Sequence, residues 1–134
     1  MFQRKFLTMN HKIISTDKAP KAIGPYNQAV IHNDTVYCSG QIGLVPESME
    51  FVDGGVKEQT KQVMENLEAV LMEANSNFSK VLRCTIFLAD MDDFQVVNKV
   101  YGSYFKEYTP ARETVAVKTL PKNAKVEISC IAYV

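Results

Sequence analysis

VKEQTKQVMENLEAVLMEA, residues 56–74, is followed after a short break by VLRCTIFLA, residues 81–89, and the change of period between the two decides the fold. In the first stretch Val56, Val63, Leu67, Val70, Leu71 and Ala74 recur at helical spacing. Lys57, Glu58, Lys61, Glu65, Glu68 and Glu73 fill the other positions. That pattern predicts an amphipathic helix whose single apolar stripe needs a sheet to cover. Asn75-Ser76-Asn77 ends it, and residues 81–89 read as a strand, apolar on much of both faces and central in the sheet.

Working outward, residues 28–32 and 35–39 are two β-rich runs separated by Asn33-Asp34, a pair suited to a tight hairpin turn. Residues 41–55 carry Gly43, Pro46, Gly54 and Gly55 and read as a loop. On the other side, Asp92 stands three residues before Gln95, the spacing of a capping box. Phe94, Val97, Tyr101, Tyr104, Phe105 and Tyr108 then mark the buried face of a second helix, stopped by Pro110. Core packing accounts for that aromatic stripe without a cofactor. Residues 113–119 and 125–134 alternate in hydrophobicity and, joined by residues 120–124, predict a second hairpin. The order is ββαβαββ, an α/β (α+β) fold with two helices on one face of a single sheet. No further element remains to cover the other face, so self-association is expected.

The chain has 134 residues, the size of one domain, and its 46% hydrophobic content suits a packed core. Fifteen basic residues balance fifteen acidic ones, so bulk charge gives no reason to gather a polyanion. Cys38, Cys84 and Cys130 are far apart and include no CxxC pair, which predicts buried, reduced thiols. No apolar run is long enough to span a bilayer and the start lacks a secretory core, so a soluble, cytoplasmic protein is expected. Residues 1–12 are basic and free of acid, and read as a flexible leader or a mitochondrial signal preceding a domain over residues 13–134.

Two residues stand out chemically. Arg112, in Pro110-Ala111-Arg112, sits where the chain changes direction, and its planar fork suits either a surface salt bridge or bidentate capture of a carboxylate. Glu127 interrupts the apolar run of residues 126–132. It is either a solvent-face residue or a proton shuttle whose pKa burial has raised. Tyr26 and Ser39 stand beside predicted strands and can donate hydrogen bonds into a pocket. His11 and His32 are the only histidines, leaving no metal-ligand group and no nucleophile-histidine-acid triad.

Residues 22–26 (AIGPY), 39–42 (SGQI), 62–67, Val97-Asn98, 110–112 (PAR), 120–122 (LPK) and 126–128 (VEI), in this order and spacing, resemble the RidA/YjgF family, also called L-PSP. The resemblance runs from about Ile13 to the C-terminus. It implies a chorismate-mutase-like fold assembled as a homotrimer, with three pockets at the subunit boundaries. It further implies a metal- and cofactor-independent deaminase, hydrolysing enamines and imines such as 2-aminoacrylate to 2-keto acids and ammonia. By resemblance Arg112 holds the substrate carboxylate, Glu127 positions or activates water, and Tyr26, Ser39, Gly40 and Asn98 line the pocket. Thr114 stands where many bacterial members have a cysteine, which excludes a cysteine nucleophile there and makes Thr114 a pocket residue that shifts substrate preference. Ser129 replaces a glutamate of many relatives, altering the polar network beside Glu127. Two other functions compete: an endoribonuclease or translation inhibitor, for which the sequence offers no basic track, and a non-catalytic ligand-binding or chaperone-like trimer, which would tolerate loss of Glu127.

Overall fold

The computed structural model describes residues 10–134; residues 1–9, and with them most of the basic leader, lie outside the described part. The chain forms six strands and two α-helices in the order β1 (Lys12–Ile14), β2 (Ala29–His32), β3 (Thr35–Gln41), α1 (Val56–Glu73), β4 (Val81–Leu88), α2 (Phe94–Gly102), β5 (Ala111–Ala116), β6 (Val126–Tyr133). One sheet runs β1-β2-β3-β6-β4-β5. The β2–β3 hairpin and α1 fall where the periodicity puts them, and α2 begins where it is expected. The short edge strand β1 was not foreseen: three residues carry too little alternation, and only pairing of Lys12 with Ile31 and Ile14 with Ala29 defines it.

The β2–β3 turn is the expected tight one. Asn33 and Asp34 both have positive φ (50° and 65°), the geometry of a two-residue turn matching strand twist. Helix α1 starts where Glu58 folds back to accept a hydrogen bond from the Gly55 N–H at 2.8 Å. It ends at Asn75, in the left-handed region, with the Ser76 hydroxyl donating to the Tyr133 carbonyl at 2.6 Å. Val63, Met64, Leu67, Val70 and Leu71 of this helix are fully buried against the sheet. Truncating Met64, Leu67 or Leu71 to alanine should cost about 2–5 kcal/mol.

Three expectations need correction. Residues 113–119 and 125–134 do not form a hairpin: β5 is an edge strand parallel to β4, and β6 inserts antiparallel between β3 and β4. The intervening α2 returns the chain to the same end of the sheet, so β5 runs parallel to β4. Arg112 is consequently a strand residue. The second helix stops at Gly102, well before Pro110, and Tyr108 is exposed. Asp92 is not its cap; the Asp90 side chain accepts from the Asp92 N–H at 2.9 Å and caps a single turn that leads into α2.

β4 lies one strand from the edge and is covered on one face only within the chain. Its Cys84, Ile86 and Leu88 are buried toward the helices, whereas Thr85 and Phe87 face away. Cys38, Cys130 and Cys84 stand side by side across β3, β6 and β4 on the helix side, all buried and free. The opposite face of the sheet carries no helix. On it Ile13, Tyr37, Val115 and Tyr133 are each more than 40% exposed, an apolar surface of the kind that marks an interface. No helix among the described residues is long and apolar enough to cross a membrane.

Candidate active site

The residues singled out from the sequence fall into two groups. Tyr26, Ser39, Gly40 and Glu127 line one open cavity of about 650 Å³. Arg112, Asn98 and Thr114 gather elsewhere, at β5 and α2.

The cavity sits where β3 departs from regular pairing with β6, between Cys38 and Gln41. This irregularity turns Gly40 against Glu127. A Cβ on Gly40 would lie 2.5 Å from the Glu127 Oε2, so any larger residue there would push the carboxylate aside. The Ser39 hydroxyl donates to the Asn27 carbonyl at 2.6 Å, and the Tyr26 hydroxyl accepts from the Ile23 N–H at 3.3 Å. Both side chains are thereby oriented while retaining further hydrogen-bonding capacity. Glu127 is half-buried, and desolvation raises its pKa above the ordinary carboxylate value, the direction a proton shuttle near neutrality needs.

Buried polar residues that the sequence reading passed over hold the cavity walls. Gln28 accepts from the Thr16 N–H at 2.7 Å and donates to the Pro20 carbonyl at 2.8 Å, fixing the segment before Lys21. Asn66 donates to the Leu44 carbonyl at 2.9 Å, and Gln59 accepts from the Lys125 N–H at 3.0 Å. Gln59 and Asn66 interrupt the helical stripe at buried positions, the one signal in the sequence that could have marked them.

In the second group, Arg112 pairs in register with Cys84, so its side chain takes the helix side of the sheet. There its Nη1 donates to the Asn98 Oδ1 at 2.6 Å, and its guanidinium lies over the rings of Tyr101 and Phe94. Thr114 follows on the same side; its hydroxyl is buried and has no hydrogen-bond partner among the described residues. The neighbouring Cys84 thiol is pushed up to about 11 by burial, which keeps it protonated and unreactive at neutral pH.

Glu127 pairs with Phe87 and shares the helix-free face, so the sheet itself separates Glu127 from Arg112. Both cannot touch the same small molecule within one chain. A surface pair takes the place of the salt bridge considered for Arg112: Glu113 bonds to Thr85 and pairs with Arg83, and its pKa is lowered first by the Thr85 hydroxyl and then by Arg83. Among the described residues no group of three His, Cys, Asp or Glu side chains is placed to hold a metal ion.

The chain is similar to proteins of known name and structure. The human protein named 2-iminobutanoate/2-iminopropanoate deaminase is 47% identical over 90% of this chain and 88% of its own length. The crystal structure of RidA from the Antarctic bacterium Psychrobacter sp. superposes with a TM-score of 0.88 at 44% identity, covering 92% of this chain and 99% of that one. Escherichia coli TdcF, solved with bound serine, gives a TM-score of 0.88 at 38% identity over 92% of this chain and 98% of that one. The family described as Endoribonuclease L-PSP matches residues 16–134, which span every strand but the first, both helices and both halves of the site, and the chain belongs to that family.

Proposed function

We propose that this chain is a 2-iminobutanoate/2-iminopropanoate deaminase, which hydrolyses small 2-imino acids and their enamine tautomers to 2-keto acids and ammonia at a site completed between copies of the chain. The observation that carries the proposal is the division of the site. An arginine held by Asn98 without a carboxylate partner among the described residues and a glutamate of raised pKa stand on opposite faces of one sheet, each beside its own polar residues.

In a homotrimer the helix-free faces pack together, and the β5 edge of one copy, with Arg112, meets the Glu127 cavity of its neighbour. Arg112 grips the substrate carboxylate by two parallel hydrogen bonds. The enamine takes a proton on carbon and gives one up from nitrogen, becoming the imine. Glu127 accepts a proton from water as the water oxygen bonds to the imine carbon, and the nitrogen is protonated. The proton held by Glu127 passes to the nitrogen of the resulting carbinolamine, the C–N bond breaks as the hydroxyl gives up its proton, and ammonia leaves the keto acid behind. Tyr26, Ser39 and Thr114 line the path, and the backbone at Gly40 leaves room for the Glu127 carboxylate. These steps use protein groups and water alone. Similar proteins carry the deaminase name, and TdcF holds serine, an amino acid of the size and charge of the proposed substrates.

Mixing tests this directly. Arg112→Ala and Glu127→Gln are each expected to lose turnover of 2-aminoacrylate generated in place by a serine dehydratase. Unfolded together at equal amounts and refolded, they should recover about a quarter of wild-type activity. One pairing in four brings an intact arginine to an intact glutamate in a ring of subunits. No recovery from a properly refolded mixture rejects the shared site, and a wild type that leaves ammonia release unaccelerated rejects the deaminase.

A further inference from the structure

Arg83 and Arg112 lie on adjacent strands and are treated oppositely. Arg83 pairs with Glu113, whereas Arg112 has no carboxylate partner among the described residues and is held by α2 instead. Phe94, Asn98 and Tyr101 follow one another at helical spacing and present one stripe to it. Asn98 takes one nitrogen of the guanidinium, and the ring centroids of Tyr101 and Phe94 lie 5.1 and 5.7 Å from its Cζ. The Tyr101 ring cannot yield easily. It is buried to 4% exposure and packs against Phe105 with centroids 4.8 Å apart, and Phe105 in turn packs against Phe78.

We propose that Tyr101, with Phe94, is a positioning residue: the two rings fix the plane of the Arg112 guanidinium so that its outer edge meets a substrate carboxylate. The inference rests on the carboxylate-binding reading of Arg112. An arginine that loses little orientational freedom on binding binds more tightly, and a ring face attracts the cation without neutralising it as a carboxylate would. The ring, not the hydroxyl, does this. The Tyr101 hydroxyl is buried beside the Cys84 thiol.

The test is binding of the product 2-oxobutanoate and of its uncharged amide, measured by calorimetry on the assembled protein. Tyr101→Leu should weaken 2-oxobutanoate by about tenfold and leave the amide unchanged, with kcat at saturating imine within about twofold of wild type. Tyr101→Phe should restore wild-type affinity. Phe94→Leu, at the half-buried end of the stripe, should weaken the carboxylate about threefold, and it carries the test if Tyr101→Leu does not fold. Equal loss of carboxylate and amide, no loss in either leucine variant, or a Tyr101→Phe variant as impaired as Tyr101→Leu overturns the proposal. Arg112→Ala separates the two readings. If it binds 2-oxobutanoate as wild type does, the arginine reading falls and the positioning proposal with it. If it loses binding while the ring variants do not, only the positioning proposal falls.

Discussion

The Arg112 half of the site and the Glu127 half are held by different physics. Arg112 is fixed by contact: one hydrogen bond to Asn98 and two aromatic faces determine where its fork lies. Glu127 stands in an open cavity of about 650 Å³ and is distinguished by its electrostatic environment, with burial raising its pKa. The first arrangement suits recognition, where geometry matters. The second suits proton transfer, where the readiness to gain and lose a proton matters.

The sharpest way to break this contrast is Gly40→Ala. Its new methyl group would meet the Glu127 carboxylate at 2.5 Å and push it aside. Turnover should fall by about 10–100-fold, while KM, which the proposed carboxylate binding assigns to Arg112 in the other half, stays within about threefold. Steady-state rates with 2-aminoacrylate check this, and a KM that rises as far as kcat falls would mean the halves are not separable.

Glu127→Gln probes the electrostatic half through stability. A carboxylate whose folded pKa is raised opposes folding above that pKa, because the folded state holds the charge less well than the unfolded chain. The variant should melt at a higher temperature than wild type at neutral pH. Its advantage should shrink as pH falls through the raised pKa and vanish below the ordinary carboxylate range. Thermal melts from pH 7 to pH 3 give the sign, and a variant less stable at pH 7 would show that Glu127 contributes a structural bond instead.

The smallest effect concerns the covered face of the sheet. Cys84, pushed up to about 11, and Cys130, held well above the thiol range by its hydrogen bond to Cys38 and by burial, should resist alkylation in the native state at pH 8. All three cysteines should react once the chain is unfolded. Mass spectrometry after iodoacetamide treatment reads the difference, and fast native labelling of Cys84 would show that the packing between Arg112 and the core is looser than described.

Much of the fold was legible because period and burial coincide in α1, β2, β3 and β6: the residues spaced to face the core pack against it, most of them fully buried. The course of the last third was not. Residues 113–119 and 125–134 look like hairpin partners because they are neighbours in sequence, but strand pairing depends on which edges remain open after the helices dock. Residues 81–89 similarly read as apolar on both faces, because composition does not say which face of a strand the helices will cover; Phe87 lies on the uncovered one.

The sequence by itself determined the chemical inventory: an arginine beside a proline, a glutamate inside an apolar strand, a glycine after Ser39, and a family whose motifs recur in order. Only the tertiary structure decided that Arg112 and Glu127 stand on opposite faces. Alternation gives each residue its parity within its own strand. The relative sides of two strands follow from their registers, Cys84 with Arg112 and Phe87 with Glu127, and register is set by long-range pairing and by the helices that bury one face.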